Sequence, residues 1–271
     1  MMRNSEILVV FFGILDRGII KTHKKLNNFV DRLREHYSIT IACFDFETEF
    51  STVDRVKRCF HARHLLNCDV YRAHSSTYIT RVLKTIKPVT FDKSFYTHTM
   101  NVNAMNQLYA EQMVSDYLRN EGLLYKYVIA TSSDYLFMNE FNNSLLRSIP
   151  PNSVMTSIQQ NGANGYTNGF YVGMVSSVMK IMNRLHDIPN ITTQVRDYEF
   201  MLRSAFVFHN INHIPIHPWY FMKVRANCQV VWPVPYMSRT GRNPQTRLYY
   251  DIFQNTTNFM KGMKDCTCVK H

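Results

Sequence analysis

The run Ile7-Leu-Val-Val-Phe-Phe-Gly-Ile-Leu15 is preceded by Glu6 and followed by Asp16-Arg17. It is far shorter than the ~20 apolar residues that a membrane-spanning helix needs. It also lacks the small-residue cleavage pattern of a signal peptide. An uninterrupted apolar stretch of this length predicts a strand buried on both faces, the kind that occupies the middle of a parallel sheet. After Gly13 the rhythm changes, and Leu26, Phe29, Val30 and Leu33 recur at helical spacing. Residues 38–44 read as a second strand that ends at Asp45, Val53, Val56 and Phe60 as a helix capped by Thr52, and 68–73 as a third strand. A further helix through Ile79, Val82, Leu83 and Ile86 stops at Pro88. Strands alternating with crossover helices predict an α/β fold with a central, mostly parallel sheet flanked by helices.

The same reading continues through the middle of the chain. Residues 101–120 predict a long helix with Gly122 as its C-terminal cap, followed by a strand over 125–130. The turn Thr131-Ser132-Ser133-Asp134 then leads into Tyr135-Leu136-Phe137. Pro150-Pro151 breaks the chain before a strand at 154–158, a polar Asn/Gly loop over 159–168 and another strand at 169–174. Ser176 is a candidate cap for a helix through Val178, Ile181, Met182 and Leu185; a helix near 197–208 and short strands near 211–216 and 228–231 follow. No linker or low-complexity stretch divides the chain, so residues 1–260 are expected to form a single domain with a tail at 261–271.

Composition excludes several classes. Of 271 residues, 45% are hydrophobic and 19% charged, which supplies a packed core and rules out bulk disorder. Lys and Arg number 31 against 20 Asp and Glu, a net charge of +11 that favours anionic partners such as phosphorylated small molecules, nucleic acid or acidic lipid. The charges are scattered and form no basic arm, and no RNP, helix-turn-helix or zinc-finger pattern is present, so nucleic acid is not the expected partner. The six cysteines are dispersed without a secretory signal, which predicts reduced thiols and a cytoplasmic location. No GxxxxGK[ST], GxGxxG or GxSxG pattern occurs, which argues against P-loop, dehydrogenase and α/β-hydrolase chemistry. His209, His213 and His217 are spaced by four, but Pro215 and the alternating Ile211, Ile214 and Ile216 break any common helix face; sheet-edge histidines are expected rather than a zinc site.

Ligands of open α/β sheets bind outside the carboxyl ends of the strands, where Asp45 and Asp134 both fall. Asp45 is a candidate acceptor of hydrogen bonds from a nucleoside, and Asp134 a candidate ligand of a divalent cation bridging phosphates; each equally suits a turn or a helix cap. Asp197 and Glu199 lie two apart at a helix start, so they point to different sides. One would serve as a general base, or both are simply carboxylates favoured by the helix dipole.

Four segments in order carry a resemblance. The stretch Tyr125-Lys-Tyr-Val-Ile-Ala-Thr-Ser-Ser-Asp-Tyr-Leu-Phe-Met138 resembles the centre of a GT-A glycosyltransferase, where a strand runs into an Asp-x-Asp or Arg-x-Asp element. Residues 8–17, with Gly13 and Arg17, resemble the first strand and donor-nucleotide turn; residues 103–122, starting at Asn103, resemble the helix before the metal motif. Asn168-Gly-Phe-Tyr-Val-Gly173, followed by Asp197-Tyr-Glu-Phe-Met-Leu202, is similar to the acceptor strand and the acidic helix start. The set is most similar to the short glycosyltransferases of large DNA viruses of algae, the chlorovirus enzymes that build capsid glycans.

That resemblance implies a GT-A-like domain with a nucleotide-sugar-binding half (1–138) and an acceptor-binding half (139–260), acting in the host cytoplasm. It implies a nucleotide-sugar donor, UDP-linked with xylose favoured, a glycan or glycoprotein acceptor, and an inverting transfer. Gly13, Arg17, Asp45, Asn103, Asp134 and Arg225 would bind the donor, and Asn168, Gly169 and Tyr171 the acceptor. Glu199 or Asp197 would be the base. Asp134 would hold Mn²⁺ or Mg²⁺; Ser132 stands where the first acid of Asp-x-Asp is expected, so a metal-independent enzyme that neutralises the diphosphate with arginines is equally compatible. Two other classes remain at this point: a basic α/β nucleic-acid-binding protein and a carbohydrate-binding module without turnover.

Overall fold

The computed structural model describes residues 6–13, 15–46, 69–73, 90–91, 98–121, 124–157, 166–191, 194–195, 198–216, 219, 221–224 and 230–231. The apolar run forms β1 (Ile7–Gly13), whose residues Ile7 to Phe12 have no exposed surface. It lies parallel to β2 (Ile39–Phe46) on one side and to β5 (Tyr127–Ser132) on the other. Beyond β2 lies β3 (Asp69–Ala73); beyond β5 come β8 (Phe170–Met174), β7 (Ser153–Ser157) and β10 (Asn212–Ile216). The order is β10-β7-β8-β5-β1-β2-β3, with only β8 antiparallel to its neighbours among the described strands of this sheet. The expected α/β class with a central, mostly parallel sheet flanked by helices is therefore present.

Alternation along β1 sorts the core into two layers, because successive strand side chains point to opposite faces. Ile7, Val9 and Phe11 pack with Leu26, Phe29, Val30 and Leu33 of α1 (Leu15–Arg34). Leu8, Val10 and Phe12 pack on the other face with Ala110, Val114 and Leu118 of α2 (His98–Glu121), Val178 and Ile181 of α3 (Val175–Met182), and Leu202 and Phe206 of α5 (Tyr198–Phe208). The α1 layer also holds an aromatic cluster. Trp219 lies 4.6 Å from Phe137 and 5.4 Å from Phe170 between ring centroids, and Phe29 lies 5.3 Å from Phe137. Phe137 belongs to β6 (Tyr135–Phe137), which pairs antiparallel with β11 (Phe221–Val224), itself paired with β12 (Val230–Val231). Each such ring contributes about 1.5–3 kcal/mol by burial, so the cluster anchors the short second sheet to α1. A two-residue bridge joins β4 (Thr90–Phe91) to β9 (Gln194–Val195).

Three expectations are corrected. Ser176 is not a helix cap: α3 starts at Val175, after Met174 in an extended conformation that makes no side-chain cap bond. The single helix expected through Leu185 is two, because Asn183 leaves the helical conformation, and α4 (Arg184–Ile191) starts after it. The reduced state expected of all six cysteines fails at Cys43, which is disulfide-bonded; dispersion along a sequence does not reveal which thiols the fold brings within bonding distance. Strand β11 was not foreseen, since four residues carry too little periodicity. The helices expected over 53–60 and 79–86, most of the 159–168 loop and the 261–271 tail lie outside the described residues. No helix among the described residues is long and apolar enough to cross a membrane.

Of the three spaced histidines, His209 follows α5 and meets Asp187, and His217 lies outside the described residues. His213, on edge strand β10, shares a 2.7 Å hydrogen bond between Nε2 and Thr156 Oγ1 and stacks on Tyr166 at 3.7 Å. Burial lowers its pKa from 6.5 to about 4, so the ring is neutral at pH 7. The unfolded chain therefore binds more protons than the fold between these values. Its contribution to stability is present above pH 6.5 and lost as the pH falls towards about 4. Melting temperatures measured from pH 7.5 to 4 should fall more steeply for the wild type than for His213→Gln. Parallel curves would refute the assignment.

Candidate active site at the strand ends

The carboxyl ends of β1, β2 and β5 meet the amino end of antiparallel β8 along one edge. Gly13 pairs with Asp45, and Phe12 with Ser132. Ser132 N–H donates to Gly169 O at 2.8 Å and Ser133 N–H to Phe12 O at 3.0 Å. The reversal of β8 is what brings the 168–169 segment beside the Ser132–Asp134 turn.

At the β1–β2 end of this edge, Gly13 has φ +110, a conformation that favours glycine. Its neighbour in the ladder, Asp45, is 6% exposed and accepts the Leu15 N–H on Oδ1 at 3.0 Å. A carboxylate thus caps the first turn of α1, where the helix dipole favours it and where a phosphate would otherwise be attracted. Asp45 is therefore placed as a helix cap, the alternative left open by its sequence position. Asp134 is half-buried in the turn after β5, and Ser132 Oγ donates to its Oδ1 at 2.6 Å. Thr22 ties α1 to the same turn through a 3.0 Å bond from its hydroxyl to Ser133 O.

On the other side, Asn168 is 3% exposed and its Nδ2 donates to Glu199 Oε1 at 3.4 Å. Its Oδ1 is buried with no hydrogen-bond partner among the described residues. Glu199 sits in the first turn of α5, and its carbonyl accepts Tyr166 N–H at 2.9 Å. Gly169 has φ +81, and a Cβ there would lie 2.4 Å from Tyr135 Oη. That phenol donates to Asn168 O at 2.7 Å and stacks on Phe221 at 3.7 Å. Burial, with Asp134 nearby as a lesser cause, raises its pKa well above that of a free phenol, so it stays a donor.

Tyr171 has no exposed surface, so it reaches the site through its backbone neighbours. Its hydroxyl donates to Glu111 Oε1 at 3.0 Å and accepts from Gly169 N–H at 3.0 Å and Arg184 Nη2 at 2.9 Å. Arg184 also pairs with Glu111 Oε2; both side chains are fully buried. Gln107 donates to Glu111 Oε1 at 3.0 Å. Glu111 and Arg184 escaped the sequence reading, although a signal existed. Glu111 lies on the same helix face as the buried Leu108, Val114 and Leu118, and a charge on an apolar stripe implies a buried partner.

The edge thus gathers Gly13, Asp45, Asp134, Asn168, Gly169 and Glu199, with Tyr171 beneath. Arg17 and Asn103 fall on α1 and α2 as backbone positions, their side chains outside the description; Asp197 and Arg225 lie outside the described residues. No protein-family model matches the sequence, and no curated protein matches it either. Among solved structures, the apo form of mouse xyloside xylosyltransferase 1 is similar with a TM-score of 0.41 and 12% identity, over 78% of this chain and 84% of that one. A likeness at that level decides neither substrate nor mechanism. Among the described residues no group of three His, Cys, Asp or Glu side chains could cage a metal ion. Asp134 fits a cation as a single carboxylate ligand, with Ser132 fixing one of its oxygens. That suits Mg²⁺ or Mn²⁺ held chiefly by substrate phosphates.

Proposed function

We propose that the protein is a glycosyltransferase that moves a sugar from a nucleotide-sugar donor to a glycan acceptor. The observation that supports this reading is the strand-end edge itself. One carboxylate, Asp134, follows the central strand β5, while Asn168, just before antiparallel β8, donates to Glu199 at the start of α5. The donor diphosphate lies against Asp134, with Gly13 allowing close approach of the backbone. A cation held by Asp134 would supply charge neutralisation of the leaving group, a role that would fall to Arg17 and Arg225 in a metal-independent enzyme. Glu199 removes the proton of an acceptor hydroxyl as its oxygen bonds to the anomeric carbon and the nucleoside diphosphate departs, which inverts the anomeric centre. Asn168, donating to the carboxylate, orients it.

UDP is the proposed nucleotide and xylose the favoured sugar, with fucose, rhamnose and galactose behind it; viral capsid-glycan synthesis is the proposed setting, carried by the sequence resemblance. Isothermal titration with UDP, GDP and TDP and a UDP-sugar hydrolysis screen, with and without EDTA, test the reading together. Binding of one nucleotide and release of UDP from one sugar are expected, and loss of release in EDTA shows that a divalent cation is required. Absence of binding to every nucleotide would remove the glycosyltransferase reading.

A further inference from the structure

The peptide unit joining Asn168 to Gly169 is held on both sides by phenols. Its C=O accepts from Tyr135 Oη at 2.7 Å, and its N–H donates to Tyr171 Oη at 3.0 Å. Fixing this plane fixes the left-handed φ of Gly169 and the point from which the Asn168 side chain departs towards Glu199. The Tyr171 hydroxyl has one proton and two lone pairs, and all three are used. The proton goes to Glu111, and the lone pairs receive Gly169 N–H and Arg184. The direction of that proton matters. A phenol that donated elsewhere would turn its lone pairs away from Gly169, and the buried N–H would lose its acceptor.

Glu111 is an acceptor only, so it dictates the orientation, and Arg184 compensates its charge. Packing alone does not call for this arrangement. Apolar residues of similar volume commonly stabilise such a position as well as a buried ion pair does.

We propose that Glu111, acting with Arg184 through the Tyr171 hydroxyl, is a positioning residue that sets the Asn168 amide against Glu199. The inference rests on the reading of Asn168 and Glu199 as the acceptor side of the site. Neither Glu111 nor Arg184 touches substrate. Their effect passes along Glu111–Tyr171–Gly169–Asn168, four residues drawn from α2 and from β8 and the segment before it.

Two arms test this on the full chain. The first needs no substrate: amide hydrogen exchange and the side-chain amide resonance of Asn168, assigned through Asn168→Ala, are compared for the wild type, Glu111→Gln, Tyr171→Phe and Glu199→Gln. Glu111→Gln and Tyr171→Phe are expected to speed exchange at Gly169 by at least about 10-fold while Val128 and Ile129 in β5 keep their protection. Both should also move the Asn168 resonance, as Glu199→Gln does. Equal acceleration at all amides, or an unmoved Asn168 resonance, would overturn the proposal, because a general loss of stability predicts those results.

The second arm measures kcat and KM with whichever UDP-sugar the wild type consumes. A misplaced catalytic group costs about 10²-fold, so kcat should fall to that extent in Tyr171→Phe with donor KM unchanged. Combined with Asn168→Ala, Tyr171→Phe should add no further loss, whereas additive losses count against the proposal. A wild type that consumes no donor removes the glycosyltransferase reading, and the first arm still decides the positioning role.

Discussion

Glu199→Gln is expected to lower kcat by ~10²–10⁴, the usual cost of losing a general base. The amide keeps the size of the side chain and a hydrogen-bonding oxygen for Asn168 Nδ2, now 3.4 Å from Glu199 Oε1. Nucleotide-sugar affinity should stay nearly unchanged, since the diphosphate is assigned to the Asp134 side of the edge. A carboxylate that served only the α5 helix dipole would cost ~0.3–1 kcal/mol of stability and leave turnover intact. Asp197→Asn, measured beside it, assigns the base between the two. Near wild-type kcat in both variants would exclude the pair and direct attention to another carboxylate or to a retaining mechanism.

Arg184→Ala is expected to destabilise the fold by about 3–5 kcal/mol, because it leaves the fully buried Glu111 without its counter-charge. That is a large part of the ~5–15 kcal/mol that stabilises a typical domain. The double variant Glu111→Leu/Arg184→Leu should be less damaging than Arg184→Ala, since it removes both charges and fills their space with apolar atoms. Urea unfolding followed by circular dichroism gives the comparison. A midpoint for Arg184→Ala within error of the wild type would show that the pair contributes little.

Much of the fold was legible because its strongest signals are local. The run beginning at Ile7 has one stable fate, a strand covered on both faces, and Ile7 to Phe12 are completely buried. The helix predicted over 101–120 is α2, and the strand predicted over 169–174 is β8, both within a few residues of their bounds. Less was legible where few residues decide. The two-residue bridge of β4 and β9 and the four residues of β11 carry too short a pattern, and Asn183 divides α3 from α4 by one residue's conformation. The candidate site was legible by type: acids at strand ends and an Asn-Gly pair before β8. Its distances were not, because they depend on which strands become neighbours.

By itself, then, the sequence determined the α/β alternation, the buried central strand, the positions of Asp45 and Asp134 at strand ends and that of Glu199 at a helix start. These follow from hydrophobic periodicity and capping chemistry, which act over a few residues at a time. Only the tertiary structure decided that β8 runs antiparallel beside β5 and so delivers Asn168 to the edge that holds Asp134. It also turned Asp45 inward onto Leu15 N–H, bonded Cys43 into a disulfide, and closed Glu111, Tyr171 and Arg184 into one buried cluster. Glu111 and Arg184 are 73 positions apart. Groups so separated meet only when long-range packing places their elements together, and burial then makes each depend on the other for its hydrogen bonds and its charge.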